Sequence, residues 1–182
     1  MDALTLLLTR QSTPRLIEPA PTDEQLKHIL DAGARVPDHA GLTPWEFIVA
    51  AGDGLERLGS IFAKASQQNG AEEEFIAKAK NMPLRAPMVI TVVAKVKQHP
   101  KVPEFEQHLA AGCAAMAMQQ AAFAQGLGAI WRTGALAFDR NVHQSLSLEE
   151  TDQIVGFLYI GTPAIKANLK PTKAGSSFAR YI

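Results

Sequence analysis

Residues 110–134 read AAGCAAMAMQQAAFAQGLGAIWRTG. The run from Ala110 to Gly126 is rich in alanine, the residue that most favours helix. Gly126 is a natural stop. Small side chains let other backbones approach closely. The segment is therefore expected to be a central helix packed on most sides, in the core or at a subunit interface. Gly128 to Thr133 is expected to be a strand. Alternation sends Trp131 and Thr133 to one face and Arg132 to the other. A buried arginine needs an anionic partner, either an internal carboxylate or a ligand phosphate.

Upstream, Met88 to Ala94 (MVITVVA) is a β-branched run suited to a strand buried on both faces. The prolines of KQHPKVPE, residues 97–104, rule out regular structure there. Downstream, Asp139 can cap a short helix through Leu146, and Ile154 to Ile160 (IVGFLYI) is a last buried strand. Gly161-Thr162-Pro163 ends it, and a polar tail runs to Ile182.

Toward the N-terminus, Asp2 to Thr9 is a leucine-rich helix in need of a partner surface. Thr22-Asp23-Glu24-Gln25 is a capping box. Leu26, Ile29, Leu30 and Gly33 follow at helical spacing until Pro37. Glu46 to Ala51 reads as a strand. Leu55, Leu58, Phe62 and Ala65 mark a helix, and a charged segment covers Glu72 to Lys80. About four strands interleave with five or six helices, so a sheet layered between helices is expected.

The chain has 182 residues and 47% hydrophobic composition, enough for one domain over residues 1–182. Eighteen basic residues balance eighteen acidic ones. That balance argues against nucleic acid or an anionic membrane as partner, since both call for clustered basic charge. Cys113 is the single cysteine, so no intrachain disulfide forms, in keeping with a cytoplasmic protein. No stretch reads as a signal peptide or membrane span.

There is no P-loop, no full dinucleotide fingerprint after a strand and no nucleophile elbow. The five histidines show no metal-ligand spacing, so no metal is expected. Three polar stretches remain. Arg10-Gln11-Ser12, with Arg15, places guanidinium forks and a hydroxyl at a helix end, which suits a phosphate or a solvated turn. The loop from Gly33 to Trp45 carries Arg35, Asp38, His39 and Thr43 between rigid elements, where binding groups concentrate. The third is the Trp131-Arg132-Thr133 strand end.

Taken in order, these segments resemble the FMN-dependent nitroreductase family, in its short single-domain form. The matching motifs are Arg10 to Arg15, the loop Val36 to Trp45, the helix end AQGLGAIW, and IVGFLYIGTP. Two positions depart from the family: its usual loop Asn is Gly41 and its usual Gln is Thr43. A side-chain contact to the flavin is thereby lost at position 41, with His39 the candidate replacement.

The resemblance implies an α+β, three-layer α-β-α fold with a mixed central sheet. It implies a homodimer with FMN at the subunit interface. It also implies ping-pong transfer of electrons from NADH or NADPH to a small nitroaromatic or quinone-like acceptor. By that resemblance the cofactor-binding residues are Arg10, Gln11, Ser12, Arg35, His39, Trp131, Arg132 and Thr133. Arg10 and Ser12, helped by Arg132, are assigned to the phosphate and ribityl end. Gln11 is assigned to the ribityl or ring edge, and Arg35 and His39 to the polar edge of the ring. Trp131 and Thr133 would line the pocket. Ala121, Ala122, Phe123, Ala124, Gln125 and Gly126 are implied near the nicotinamide nucleotide. No protein nucleophile or base is required. Two other readings stay open: a flavin sensor or carrier without turnover, and a non-flavin module whose arginines pair with internal acids.

Overall fold

The computed structural model describes residues 1–165 and 168–182. Helix α1 (Ala3–Thr9) is capped by Asp2, whose carboxylate accepts from Thr5 N at 3.0 Å. An extended segment then reaches strand β1 (Leu16–Ile17). Helix α2 (Asp23–Gly33) starts on the expected capping box, with Thr22 and Gln25 exchanging both bonds. Strand β2 (Trp45–Ala51), helix α3 (Asp53–Gln68) and helix α4 (Glu73–Asn81) follow. Then come strand β3 (Met88–Ala94), helix α5 (Glu104–Ala124), strand β4 (Gly128–Arg132), helix α6 (Arg140–Ser145) and strand β5 (Gln153–Pro163).

Residues 157–160 of β5 pair with both β3 and β4, so β5 lies between them; β2 flanks β3, and β1 pairs the far end of β5. The sheet expected to be mixed is antiparallel at every pairing among the described residues. The reason lies in the connections. After β2, helix α3 leads away and α4 leads back, so the chain re-enters the sheet at the end it left, and Ala51 pairs with Met88. A single helix, α5, links β3 to β4 and makes them parallel to one another, but β5 inserts between them and runs against both.

Helices cover both faces. Buried Val89, Val93, Phe157 and Tyr159 join Leu55, Leu58 and Phe62 of α3 in one core. Ile90, Val92, Leu158 and Ile160 join Ile29 of α2 and Ala115, Met118 and Ala122 of α5 in the other. Every residue of β3 is buried, as its unbroken apolar run predicts. The alanine-rich helix begins earlier than its composition suggested, with Pro103 just outside the first turn. Helix α2 crosses it closely at Gly33, where a methyl group would stand 2.8 Å from Met118 Cγ.

The expected helix from Asp2 to Thr9 forms, yet none of its residues is buried. Leu4, Leu7 and Leu8 face outward, as do Phe105 and Leu109 of α5. No described helix is long and apolar enough to cross a membrane.

Candidate functional site

Helix α1 stops because Arg10 turns out of helical geometry, at φ −54 and ψ 130. The chain beyond it lies against β4, where Thr13 N donates to Ala129 O at 2.9 Å. A buried glutamine on α5 holds this segment down. Gln119 Nε2 donates to Ala129 O at 3.1 Å and, more weakly, to Ser12 Oγ at 3.4 Å. Its signal in the sequence is an amide in the middle of an alanine-rich helix.

Arg10 Nη1 is buried without a hydrogen-bond partner among the described residues. Arg10 and Gln11 share a cavity of about 430 Å³ with Lys170 and Thr172 of the C-terminal tail. Lys170 was missed by sequence reasoning, because nothing local marks a tail lysine as converging on residue 10. Gln11 is committed to the tail: its Nε2 donates to Asn168 O at 3.1 Å, and its Oε1 accepts from Lys170 N at 3.2 Å. Both halves of the Gln11 amide are therefore bonded to the backbone of the tail, at residues 168 and 170.

The loop after α2 is built by Asp38, whose carboxylate accepts from Leu42 N at 3.1 Å and Thr43 N at 2.6 Å. These bonds hold Ala40 (φ 65) and Thr43 (φ 46) in the left-handed region, which costs about 1 kcal/mol or more per residue. Asp38 is thus a structural acid. His39 Nδ1 sits 2.7 Å from Glu106 Oε2 at the start of α5, so that nitrogen donates and Nε2 points elsewhere. Arg35 is exposed and makes no ion pair among the described residues.

The predicted residues therefore fall into two groups on one helix. Ser12 is anchored at Gln119 and His39 at Glu106, thirteen residues apart, or about 20 Å at the helical rise. Within one chain, His39 is therefore not brought to Ser12.

The strand end divides as alternation predicts. Trp131 lies on the α5 side, where Nε1 donates to Val155 O at 3.1 Å. Its indole lies over Gly156, a position with no room for a side chain. Arg132 points to the α3 side, its Cζ 5.8 Å from the Tyr159 ring centroid. Its guanidinium is on the sheet face opposite Ser12, so this structure does not bring it to the phosphate end. Thr133 is exposed beyond the strand end.

Ala121 to Gly126 forms the C-terminal end of α5. Ala122 is fully buried. Gln125 Nε2 donates to Gln25 O and Ala121 O, and its Oε1 lies 3.3 Å from His28 Nδ1. The negative end of the helix dipole points here, which disfavours a phosphate. Phe123 and Gly126 do line an apolar cavity of about 370 Å³ with Thr13 and Leu127. No cluster of metal-ligating side chains occurs among the described residues.

The profile described as "Nitroreductase family" matches residues 8–162. The chain is 52% identical over 168 residues to the Escherichia coli (strain K12) protein named "Putative NAD(P)H nitroreductase YdjA", covering 92% of each chain. The solved structure of a nitroreductase-like family protein from Bacillus cereus superposes with a TM-score of 0.85 at 21% identity, covering 100% of this chain and 96% of that one. The Desulfovibrio desulfuricans structure described as "a putative nitroreductase in complex with fmn" gives a TM-score of 0.78 at 22% identity, covering 100% of this chain and 98% of that one. The chain belongs to the nitroreductase family.

Proposed function

We propose that this protein is an FMN-dependent oxidoreductase that passes electrons from NADH or NADPH to nitroaromatic or quinone-like acceptors by a ping-pong mechanism. The observation that carries the reading is Arg10 Nη1, which is buried without a hydrogen-bond partner among the described residues and belongs to a residue that shares its cavity with Lys170. An unpaired buried guanidinium nitrogen is costly, and a phosphate satisfies it. The chemistry of these donors fits the flavin that the Desulfovibrio desulfuricans relative binds.

The flavin, when bound, supplies hydride acceptance from the nicotinamide and its later delivery to the acceptor. Arg10, Ser12 and Lys170 would hold its phosphate. Gln11 keeps Lys170 in reach through its two bonds to the tail. Trp131 is fixed by Val155 and Gly156, so it presents a rigid wall on the α5 side. Arg35 and His39 provide positive charge and a proton donor for the polar edge of the ring, where negative charge develops.

The 20 Å separation, about thirteen helical rises, supports a homodimer with the cofactor between subunits. One subunit then supplies Arg10 and Ser12, and its partner supplies Arg35 and His39. The outward-facing leucines of α1, with Phe105 and Leu109 of α5, give such a dimer its apolar contact.

The purified protein is expected to be yellow and to bleach on anaerobic addition of NADH or NADPH. Colour should return only with a nitroaromatic or quinone acceptor. Bleaching without acceptor-dependent turnover would instead make it a flavin carrier or sensor.

A further inference from the structure

We propose that Glu106 is the positioning residue of His39: its carboxylate fixes the imidazole so that Nε2 faces the electron acceptor and hands it a proton. This role rests on the electron transfer proposed above.

A quinone that takes up a hydride supplied by the cofactor also takes up one proton to become a hydroquinone. Protonated on both nitrogens, His39 gives its Nε2 proton to the acceptor oxygen. The Nε2–H bond breaks as the O–H bond forms, the Nδ1 proton stays on Glu106, and water restores the one given up. The donation needs Nε2 in one place, and geometry comes before any other property of a general acid. An imidazole on an exposed loop has several staggered orientations open to it. The 2.7 Å contact between Nδ1 and Glu106 Oε2 selects one and leaves Nε2 free of the carboxylate. Both side chains are about half exposed, which keeps Nε2 open to a small molecule.

The contact has a backing that an ordinary surface ion pair lacks. Gln107, the next residue of α5, is 1% exposed. Its Oε1 accepts from Lys97 N and its Nε2 donates to Lys97 O, each at 2.8 Å. Lys97 Nζ then donates to Leu42 O at 2.5 Å, within the loop that carries His39. Asp38 closes that loop through Leu42 N and Thr43 N. Two consecutive residues of α5 therefore hold His39, Glu106 at the ring and Gln107, through Lys97, at the backbone.

The test is stopped-flow measurement of the flavin-loaded protein, with reduction by NADH or NADPH and reoxidation by benzoquinone followed separately. Glu106→Ala is expected to slow reoxidation at least about tenfold, part of the roughly 10²–10⁴-fold that a positioned general acid contributes, and to leave reduction unchanged. Glu106→Gln, whose amide oxygen still accepts from Nδ1, should restore most of the rate. In a His39→Gln background, Glu106→Ala should add nothing. Slowing of both half-reactions, or further slowing in the double variant, would make Glu106 merely structural and overturn the role. Glu106→Gln as slow as Glu106→Ala would overturn it too, by putting the effect in charge rather than position. A parent that NADH and NADPH fail to reduce would overturn the oxidoreductase reading and this role with it; normal turnover in the parent and in Glu106→Ala alike would overturn this role alone.

Discussion

Replacing Gln119 with leucine tests whether the N-terminal segment is the cofactor anchor. The side chain is only 4% exposed and donates to Ala129 O and Ser12 Oγ. Leucine keeps most of its volume and removes both donations. Ala129 O still accepts from Thr13 N, and Ser12 is half-buried with access to water, so no buried acceptor is orphaned. The loss is that of one sound hydrogen bond and one long one, about 1 kcal/mol. For a chain of this size that shifts the melting temperature by about 2–4 °C. If residues 10–12 must be ordered to hold the phosphate, the same 1 kcal/mol appears in FMN affinity as about fivefold weaker binding. Urea denaturation measures the first quantity and quenching of free-flavin fluorescence the second. A destabilised Gln119→Leu protein that binds FMN as tightly as the parent would refute the anchoring role of this segment.

Other outcomes follow from the same geometry. Arg10→Gln removes a charge-assisted contact worth about 1.5–3 kcal/mol, so FMN affinity should fall by more than tenfold; an unchanged Kd would remove Arg10 from the site. His39→Gln should slow reoxidation of the reduced protein by acceptor more than its reduction by NAD(P)H, and stopped-flow rates equal in the oxidative half-reaction would end its proton role. Lys95 is held above its ordinary pKa of 10.5 mainly by its hydrogen bond to Asp152, which is 2% exposed. A raised folded-state pKa stabilises the fold below 10.5 and ceases to as pH climbs through the higher value. Denaturation midpoints should therefore drop above about pH 10.5 in the parent. Lys95→Met, which leaves Asp152 buried without its cation, should already be destabilised at neutral pH by about 3 kcal/mol.

The elements were legible wherever periodicity or capping is local. Thr22 with Gln25, the run Met88–Ala94 and the alanine-rich helix declare themselves within a few residues, and each forms. Strand direction did not, because helices interleaved with strands look the same whether one helix or two make the return. The two-residue β1 has no pattern of its own; it exists because β5 runs on to Pro163. Within the candidate site, Arg10, Ser12 and His39 were readable as motif residues. Gln119, Glu106 and Lys170 were not. Each acts by orienting a motif residue or converging on it from a distant segment, and a single sequence carries no mark of such pairings.

Arg132 illustrates the same limit. Alternation predicted that its side chain would leave the face shared by Trp131 and Thr133, yet the resemblance drew all three into one pocket. The backbone of residues 131–133 can border the flavin while the guanidinium points through the sheet plane to Tyr159. A family motif records which residues lie beside a ligand, whereas a side chain's chemistry goes where its Cβ points. The same five-residue strand thereby separates two regions of positive charge. One is formed by Arg10 and Lys170, and the other by Lys78, Arg85 and Arg132. A chain of zero formal net charge achieves this by keeping acids out of both cavities and using them elsewhere, as Asp38 closes its loop and Asp152 holds Lys95. The placement of charge, rather than its sum, gives this neutral protein two cavities in which cations meet no acid.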